Sequence, residues 1–221
     1  MHVRGNFAYL LTSLLGFLLL TAILAEYPAI GGGQALSFIL EATLVVGVWS
    51  LVRQRLWFVI GMALIAIGAI NLILDMIIDH SWAPYVNFIV ALLFYLITTG
   101  IAFGTLLKGE RIDSNTLMGS ICVYILVGIS WSILYFFESI IHPGAFNGVN
   151  ITSTRQEFTD LLYYSFVTLS TLGYGDITPM TPIARTLAYI EALFGQFYIA
   201  ILVASFVGMH ISRASKNTDQ G

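Results

Sequence analysis

A glycine-spaced hexapeptide is the segment of this sequence with the clearest chemical potential. Residues 171–176 read Thr-Leu-Gly-Tyr-Gly-Asp and lie between two apolar stretches. Gly173 and Gly175 can take a positive φ at little cost, and alternating backbone handedness directs successive carbonyl oxygens to one side. A column of such oxygens can replace the water around a cation. The predicted chemistry is therefore cation coordination by backbone carbonyls, with the Thr171 hydroxyl as an extra ligand.

The composition indicates that lipid is the main solvent of the chain. Of the 221 residues, 58% are hydrophobic and 10% are charged, whereas a soluble domain carries about 25% charged residues. The net charge of −3 gives no reason to expect a nucleic-acid partner. The single cysteine, Cys122, forms no internal disulfide, and the sequence offers no metal-ligand cluster or Ser-His-Asp grouping. We therefore expect neither an enzyme nor a bound cofactor.

Six apolar stretches are long enough to cross the roughly 30 Å of hydrocarbon in a bilayer. A seventh segment, Phe158–Ser170, is too short to span and is predicted to be a re-entrant helix buried in protein. The predicted fold is therefore an all-α membrane protein with six transmembrane helices and one re-entrant helix. The predicted spans are Phe7–Ala25, Ala35–Val52, Leu56–Ile78, Pro84–Leu107, Thr116–Phe137 and Ile183–Ile211.

The positions of lysine and arginine predict the orientation in the membrane. Cytoplasmic loops carry an excess of these residues, and seven of the nine fall in the terminal segments and in the loops after the second and fourth spans. Both termini are therefore predicted to be cytoplasmic, and residues 142–182 to lie on the outer side. The predicted location is the cytoplasmic (inner) membrane or plasma membrane. The seven residues are Arg4, Arg53, Arg55, Lys108, Arg111, Arg213 and Lys216.

The hexapeptide resembles the selectivity filter of the potassium channel superfamily, which reads T-V-G-Y-G-D. The similarity covers about Asn115 to Ile211 and does not obviously include the first four spans. It implies a filter at residues 171–175 and a ring of Asp176 carboxylates at the outer mouth. Because one chain has one motif and a pore needs four, it also implies a homotetramer with K⁺ as the permeant ligand. The implied K⁺ ligands are Thr171, Leu172, Gly173 and Tyr174, with Leu172 and Tyr174 side chains bracing the filter.

The resemblance also assigns a supporting role to two tyrosines of the re-entrant helix. Tyr163 and Tyr164 match an aromatic pair that forms a cuff around the filter, with hydroxyls directed toward Tyr174 or Asp176. The alternative is that both are membrane-interface anchors. Some relatives pair a glutamate of this helix with the filter aspartate, but this chain has Val167 there, so that pair is absent.

The last span contains the predicted moving parts. Thr181 is suited to cap this helix, with Pro182 at its first position. Gly195 has two equal interpretations, a hinge implied by the resemblance or a small residue for close packing. One helical face continues from it, and four copies of that face would form an apolar constriction that stops ions by dewetting. The predicted gate residues are Ile199, Val203, Val207 and Ile211.

The remaining spans form the least informative part of the sequence. We assign residues 1–110 to a four-helix membrane domain, 111–212 to a pore domain and 213–221 to a short cytoplasmic tail. Several polar residues lie within predicted spans, and each needs a partner or a role. Asn71 is expected to form structural hydrogen bonds, whereas Glu41 and Asp75 suit either structural bonding or a sensor. The partner of Glu191 is not readable from the sequence.

Three other functions stay open at this point. A weakly selective cation channel usually lacks the second Gly-Tyr-Gly element, which is intact here. A subunit of a potassium uptake transporter would carry several diverged filter repeats. A non-conducting membrane receptor or scaffold would show no flux. An unidentified gating ligand or accessory protein also remains possible under the channel interpretation.

We expect the channel to respond weakly to membrane voltage. The field does work only on charge, and Pro84–Leu107 contains neither arginine nor lysine. Recordings from purified protein in planar bilayers would test this. Steep activation carried by several charges per subunit would contradict the expectation.

Overall fold

The computed structural model of the protein describes residues 7–27, 34–51, 55–78, 82–107 and 114–218. The described chain is mainly helical, which confirms the predicted all-α class. Seven helices and one short antiparallel strand pair follow in the order α1 Phe7–Glu26, α2 Ala35–Leu51, α3 Arg55–Ile78, α4 Ala83–Leu107, α5 Ser114–Ile141, β1 Phe146–Asn147, α6 Thr154–Leu169, β2 Thr178–Pro179 and α7 Pro182–Thr218.

Five of the described helices are long and apolar enough to cross a membrane, namely α1, α3, α4, α5 and α7. The apolar part of α2, Ala35–Val48, is shorter. This confirms a chain built for a membrane, whereas the six-span count and the orientation stay predictions. Helix α7 has 37 residues and is about 55 Å long. It continues to Thr218, so residues 213–218 are helical, and the cytoplasmic tail at 213–221 stays a prediction.

Helices α1 and α4 both pack against α5, so the N-terminal helices contact the outer helix of their own chain. The Phe7 N–H donates to the Asn115 side-chain oxygen over 3.3 Å. The thiol of Cys122, a buried core residue, contacts the Phe7 carbonyl oxygen at 3.6 Å. The first helix is therefore fixed to α5 near the start of both helices. The predicted domain boundary at residue 110 lies outside the described residues.

The polar residues of α2 and α3 are mainly bonded to neighbouring helices. The Asn71 amide donates to the Ala83 carbonyl and to the Asn87 side chain, both at 2.8 Å, which confirms its structural role. Gln34 donates to Asp75 at 2.9 Å. The Glu41 carboxylate lies against Gly68, and one of its oxygens has no hydrogen-bond partner among the described residues. A sensor role for Glu41 or Asp75 stays a prediction.

The re-entrant helix α6 lies between α5 and α7 and contacts both. It begins at Thr154, four residues before the predicted start, because its first turn is polar and has no signal in an apolar pattern. The Ser153 hydroxyl caps it by accepting from the Gln156 N–H over 3.2 Å. Glu157 adds a negative charge to the first turn, where the helix dipole is positive. This helix ends at Leu169, immediately before the filter segment.

Replacing Gly47 with alanine is expected to destabilise the N-terminal helices by about 1–3 kcal/mol through overpacking. A Cβ on Gly47 would lie 2.7 and 2.8 Å from two ring carbons of Phe94. Phe94 is 1% exposed and has little room to move. Thermal unfolding of the purified protein measures the change.

The matched control is Gly100→Ala on α4, where a Cβ meets no atom within 4 Å. It is expected to be neutral or to stabilise by up to about 1 kcal/mol through helix propensity. Equal melting temperatures for the two variants would contradict the packing interpretation of Gly47.

Candidate ion-binding filter

The backbone of the filter segment alternates in handedness. Thr171, Gly173 and Gly175 have φ values of 57°, 59° and 80°. In the described part of the chain, Thr171 is the one non-glycine residue with a positive φ. Leu172 and Tyr174, which alternate with these three residues, therefore do not have a positive φ. The positive φ predicted for the two glycines is confirmed. The left-handed Thr171 is not predictable from residue type, since this conformation costs a side-chain-bearing residue about 1–2 kcal/mol.

This alternation is what a backbone needs to direct successive carbonyl oxygens toward one axis. A Cβ on Gly173 or Gly175 would meet no atom within 4 Å, so open space adjoins the segment in a single chain. The side chains of Leu172 and Tyr174 are 55% and 67% exposed. Within one chain these side chains are largely uncovered, so the bracing role assigned to them stays a prediction. The segment is therefore held by its backbone and its two ends.

The inner end of the filter is bonded to the last turn of α6. The Thr171 N–H donates to the Thr168 carbonyl over 2.9 Å. The Val167 carbonyl accepts from the N–H groups of Leu172 and Gly173, at 2.9 and 3.3 Å. The filter thus starts directly on the C-terminal end of a helix, where the helix dipole is negative and favours a cation. Val167 contributes through its backbone at the position where some relatives carry glutamate.

The outer end of the filter is bonded to one of the two predicted tyrosines. The Tyr163 hydroxyl donates to the Asp176 carboxylate over 2.7 Å. This hydrogen bond lowers the pKa of Asp176 below its ordinary value of 3.8. A depressed pKa keeps the carboxylate ionised at neutral pH, and the charge is lost only when the pH falls below that ordinary value. Asp176 therefore contributes a fixed negative charge to the outer end.

Tyr164 occupies a different environment from Tyr163. Its ring packs edge-on against Tyr135 and Phe146, with ring centroids 5.0 and 5.4 Å apart. The side chain is buried between α6 and α5. Within one chain its ring contacts α5 and β1, and the predicted bond from its hydroxyl to Tyr174 or Asp176 of this or a neighbouring subunit stays a prediction. Tyr164 therefore packs α6 against α5 and β1.

A short strand pair holds the segment that follows the filter. Strands β1 and β2 pair antiparallel, with Phe146 opposite Pro179, and the Met180 N–H donates to the Ala145 carbonyl over 2.7 Å. Gly148 has a φ of 87°, and a Cβ there would strike the Asp176 carbonyl oxygen. This contact is not among those predicted from the sequence. The Asn147-Gly148 pair, a common turn signal, was the available clue.

The start of α7 agrees with the prediction. Pro182 is its first residue, and the Thr181 hydroxyl accepts from the Ala184 N–H over 3.1 Å. The same hydroxyl donates to the buried Glu138 carboxylate at 2.8 Å, and His142 lies 3.2 Å from the same carboxylate oxygen. The cap of α7 is thereby fixed to the outer end of α5.

Three α7 residues connect this helix to α6 and the filter, and we call them the α7 clasp: Glu191, Gly195 and Gln196. The fully buried Glu191 carboxyl contacts the hydroxyls of Tyr135 and Ser165 at 2.5 and 2.6 Å. A Cβ on Gly195 would strike the Leu169 carbonyl oxygen.

The third member of the α7 clasp reaches the filter itself. The Gln196 amide donates to the Thr171 hydroxyl oxygen over 2.8 Å. The clasp therefore fixes the middle of α6, its end and the first filter residue. It also identifies the partners of Glu191 that the sequence left open.

The predicted gate residues lie beyond the clasp on α7. Ile199, Val203 and Val207 are exposed apolar side chains in a single chain. Ile211 belongs to α7, but its side chain lies outside the described residues. A gate at these positions stays a prediction.

The candidate ligands for a cation are oxygen atoms of the filter. Within the described ranges, no group of three or more His, Cys, Asp or Glu side chains is placed to hold a metal ion. The candidate ligands are therefore the filter carbonyls and the Thr171 hydroxyl. Backbone carbonyl and hydroxyl oxygens suit hard, weakly polarising cations.

Comparison with known proteins agrees with this geometry. Residues 140–211 match the family model described as "Ion channel". The chain is 33% identical to two-pore potassium channel 5 of Arabidopsis thaliana over 85 residues, covering 38% of this chain and 18% of that protein. It is 33% identical to two pore potassium channel c of Oryza sativa subsp. japonica over 84 residues, 38% of this chain and 16% of that protein.

A bacterial relative matches over a shorter segment. The inward rectifier potassium channel Kirbac3.1 of Paramagnetospirillum magnetotacticum is 39% identical over 56 residues, 25% of this chain and 19% of that protein. The chain thus spans less than a fifth of the length of each of these relatives.

A short helix that leads into the left-handed segment 171–175 between two apolar helices, together with the family match, indicates an integral membrane protein with an ion channel domain. This domain is of a non-enzymatic class, as predicted. Residues 140–211 are thus an ion channel domain that is similar to domains of potassium channels.

The two interpretations of Gly195 predict opposite effects of Gly195→Ala. If close packing dominates, as the contact with Leu169 indicates, the added Cβ separates α7 from α6 and costs about 1–3 kcal/mol. A glycine that served only as a hinge would instead gain about 1 kcal/mol from helix propensity. Thermal unfolding of the purified protein distinguishes the two signs.

Gly208→Ala is the matched control on the same helix, because a Cβ there meets no atom within 4 Å. We expect this variant to be no less stable than the parent. A stabilised Gly195→Ala protein would rule out the packing role.

Proposed function

We propose that four copies of this chain form a potassium-selective pore, with residues 171–175 of each copy around a common axis. The observation that carries the proposal is the alternating backbone handedness at Thr171, Gly173 and Gly175, within the sequence Thr-Leu-Gly-Tyr-Gly. The function is passive K⁺ conduction across a membrane. The names of the matched relatives, which are potassium channels, support the choice of ion.

The single chain supports a homotetramer through the surfaces that it leaves uncovered. It has one filter segment, and a ring of carbonyls around an ion needs several. The exposed side chains of Leu172 and Tyr174 flank that segment, and the apolar side of α7 is also exposed. Neighbouring copies would cover these surfaces and supply the bracing that is missing within one chain.

The surroundings of the filter favour a cation at both ends. At the inner end, the Gln196 amide uses one lone pair of the Thr171 hydroxyl oxygen, which leaves the other for an ion. The C-terminal end of α6 adds partial negative charge there. At the outer end, four ionised Asp176 carboxylates would raise the local cation concentration.

The proposal includes the gate, the gating stimulus and the membrane orientation predicted from the sequence. The apolar strip of Ile199, Val203 and Val207 is suited to close the pore by dewetting. Voltage is not the main stimulus, because α4 has no cationic residue. The candidate triggers are pH, membrane tension, lipid, a ligand and an accessory protein. Both termini face the cytoplasm, in an inner or plasma membrane, by the lysine and arginine distribution.

The test compares K⁺ and Na⁺ flux through the purified protein in liposomes. The wild type is expected to pass K⁺ in strong preference to Na⁺. In Gly173→Ala, the added side chain disfavours the positive φ by about 1–2 kcal/mol in every subunit. We expect it to lose K⁺ flux or selectivity.

Gly144→Ala is the matched control, since Gly144 also has a positive φ, of 87°, with no atom within 4 Å of its Cβ. It bears the same backbone strain away from the filter and is expected to keep the wild-type selectivity. Equal K⁺ and Na⁺ flux in the wild type would leave a pore but overturn K⁺ selectivity.

A further inference from the structure

The Glu191 carboxyl group and its two hydroxyl partners take part in three close oxygen–oxygen contacts, more than the two hydroxyl protons can satisfy. Its carboxyl group lies 2.5 Å from the Tyr135 hydroxyl and 2.6 Å from the Ser165 hydroxyl. The Ser165 hydroxyl also lies 2.7 Å from the Gly128 carbonyl oxygen. Each of these three contacts is at hydrogen-bond distance and requires a proton between the two oxygens.

The two hydroxyls supply two protons for these three contacts, because a hydroxyl has one. The Gly128 carbonyl can only accept, so Ser165 donates to it and cannot also donate to Glu191. The third proton must then reside on Glu191, whose carboxyl group donates to the Ser165 oxygen. The other carboxyl oxygen accepts from Tyr135. In this arrangement every contact has one donor and one acceptor.

We infer that Glu191 is a protonated, neutral carboxylic acid that positions α6, and through it the filter at residues 171–175. This inference rests on the proposed K⁺-channel function. The neutral form agrees with the location of the group, which is fully buried in a membrane-spanning helix. An ionised carboxylate at such a place needs a countercharge. The hydrogen-bond partners found for Glu191 in the described chain are both neutral hydroxyls.

The other titratable groups near Glu191 are also uncharged phenols. Tyr135 and Tyr124 face it from α5, and Tyr164 faces it from α6. Each of these side chains is neutral at physiological pH in its ordinary form. The site is therefore built from neutral donors and acceptors rather than from an ion pair.

The position of the acid explains how it acts on the filter without touching an ion. Glu191 joins α7 to α5 through Tyr135 and to α6 through Ser165. One turn further along α7, Gly195 meets the end of α6, and Gln196 bonds to Thr171. Loss of the Glu191 contacts would let α6 shift against α7, and the filter residues that start on its end would shift with it.

The decisive comparison is between Glu191→Gln and Glu191→Ala. A glutamine can donate to Ser165 and accept from Tyr135, as a protonated acid does. We expect Glu191→Gln to keep the K⁺/Na⁺ flux ratio of the wild type within about threefold. Glu191→Ala is expected to lower that ratio by about tenfold or more, as removal of the groups that orient metal ligands does. Glu41→Ala removes a membrane carboxyl group remote from the filter and is expected to leave the ratio unchanged.

An infrared difference spectrum detects the protonated carboxyl group directly. The wild type minus Glu191→Gln spectrum at neutral pH is expected to contain the carbonyl band of a protonated carboxylic acid. The wild type minus Asp176→Asn spectrum is the control and should lack that band, because Asp176 is ionised. If Glu191→Ala fails to assemble, Tyr135→Phe removes one contact at nearly constant volume and should lower the flux ratio in the same direction.

The outcomes separate this inference from the proposed function. A wild type without K⁺ preference overturns both. A selective wild type whose Glu191→Ala and Tyr135→Phe variants keep full selectivity overturns the positioning role. A missing acid band, or a Glu191→Gln variant as impaired as Glu191→Ala, overturns the neutral carboxyl group.

Discussion

Three left-handed residues within five are the constraint on which the pore region depends. A free chain does not hold such a backbone, and the left-handed threonine costs about 1–2 kcal/mol by itself. The surrounding structure therefore fixes the segment from several sides. The Val167 carbonyl accepts from the N–H groups of Leu172 and Gly173. The Gln196 amide donates to the Thr171 hydroxyl, and the Tyr163 hydroxyl donates to Asp176. The strand pair then fixes the chain that leaves the outer end.

Close backbone contacts and buried hydrogen bonds hold this segment in place. The hydrophobic effect contributes little to helix association in a membrane, because lipid tails are as apolar as the helices. Glycine occurs at three close approaches to α6 or the filter, namely Gly128 against the Phe166 ring, Gly148 against Asp176 and Gly195 against Leu169. The Glu191 contacts supply the polar counterpart. A polar group without a partner is costly in a low-dielectric interior, so these contacts define one arrangement of α5, α6 and α7.

Local features of the sequence predicted the helices and the filter glycines well. Hydropathy located most helix ends to within four residues, but α7 extends seven residues past its predicted span. Thr181 and Pro182 marked the start of α7. Both signals depend on neighbouring residues. The first turn of α6 is polar, so the apolar pattern did not predict it. The partners of Glu191, the burial of Tyr164 and the strand pair depend on how three helices meet in space. The left-handed φ of Thr171 is imposed by its surroundings rather than by its side chain.

The same contacts limit where α7 can bend when the proposed pore opens. A bend at Gly195 would separate this helix from the Leu169 carbonyl and strain the Gln196 bond to Thr171. The filter would then change shape with every opening. A bend beyond Gln196, toward Gly208 with its open surroundings, would move Val207 while leaving the α7 clasp in place. The clasp thus divides α7 into a part fixed to the filter segment and a part beyond Gln196 that contains the proposed gate residues.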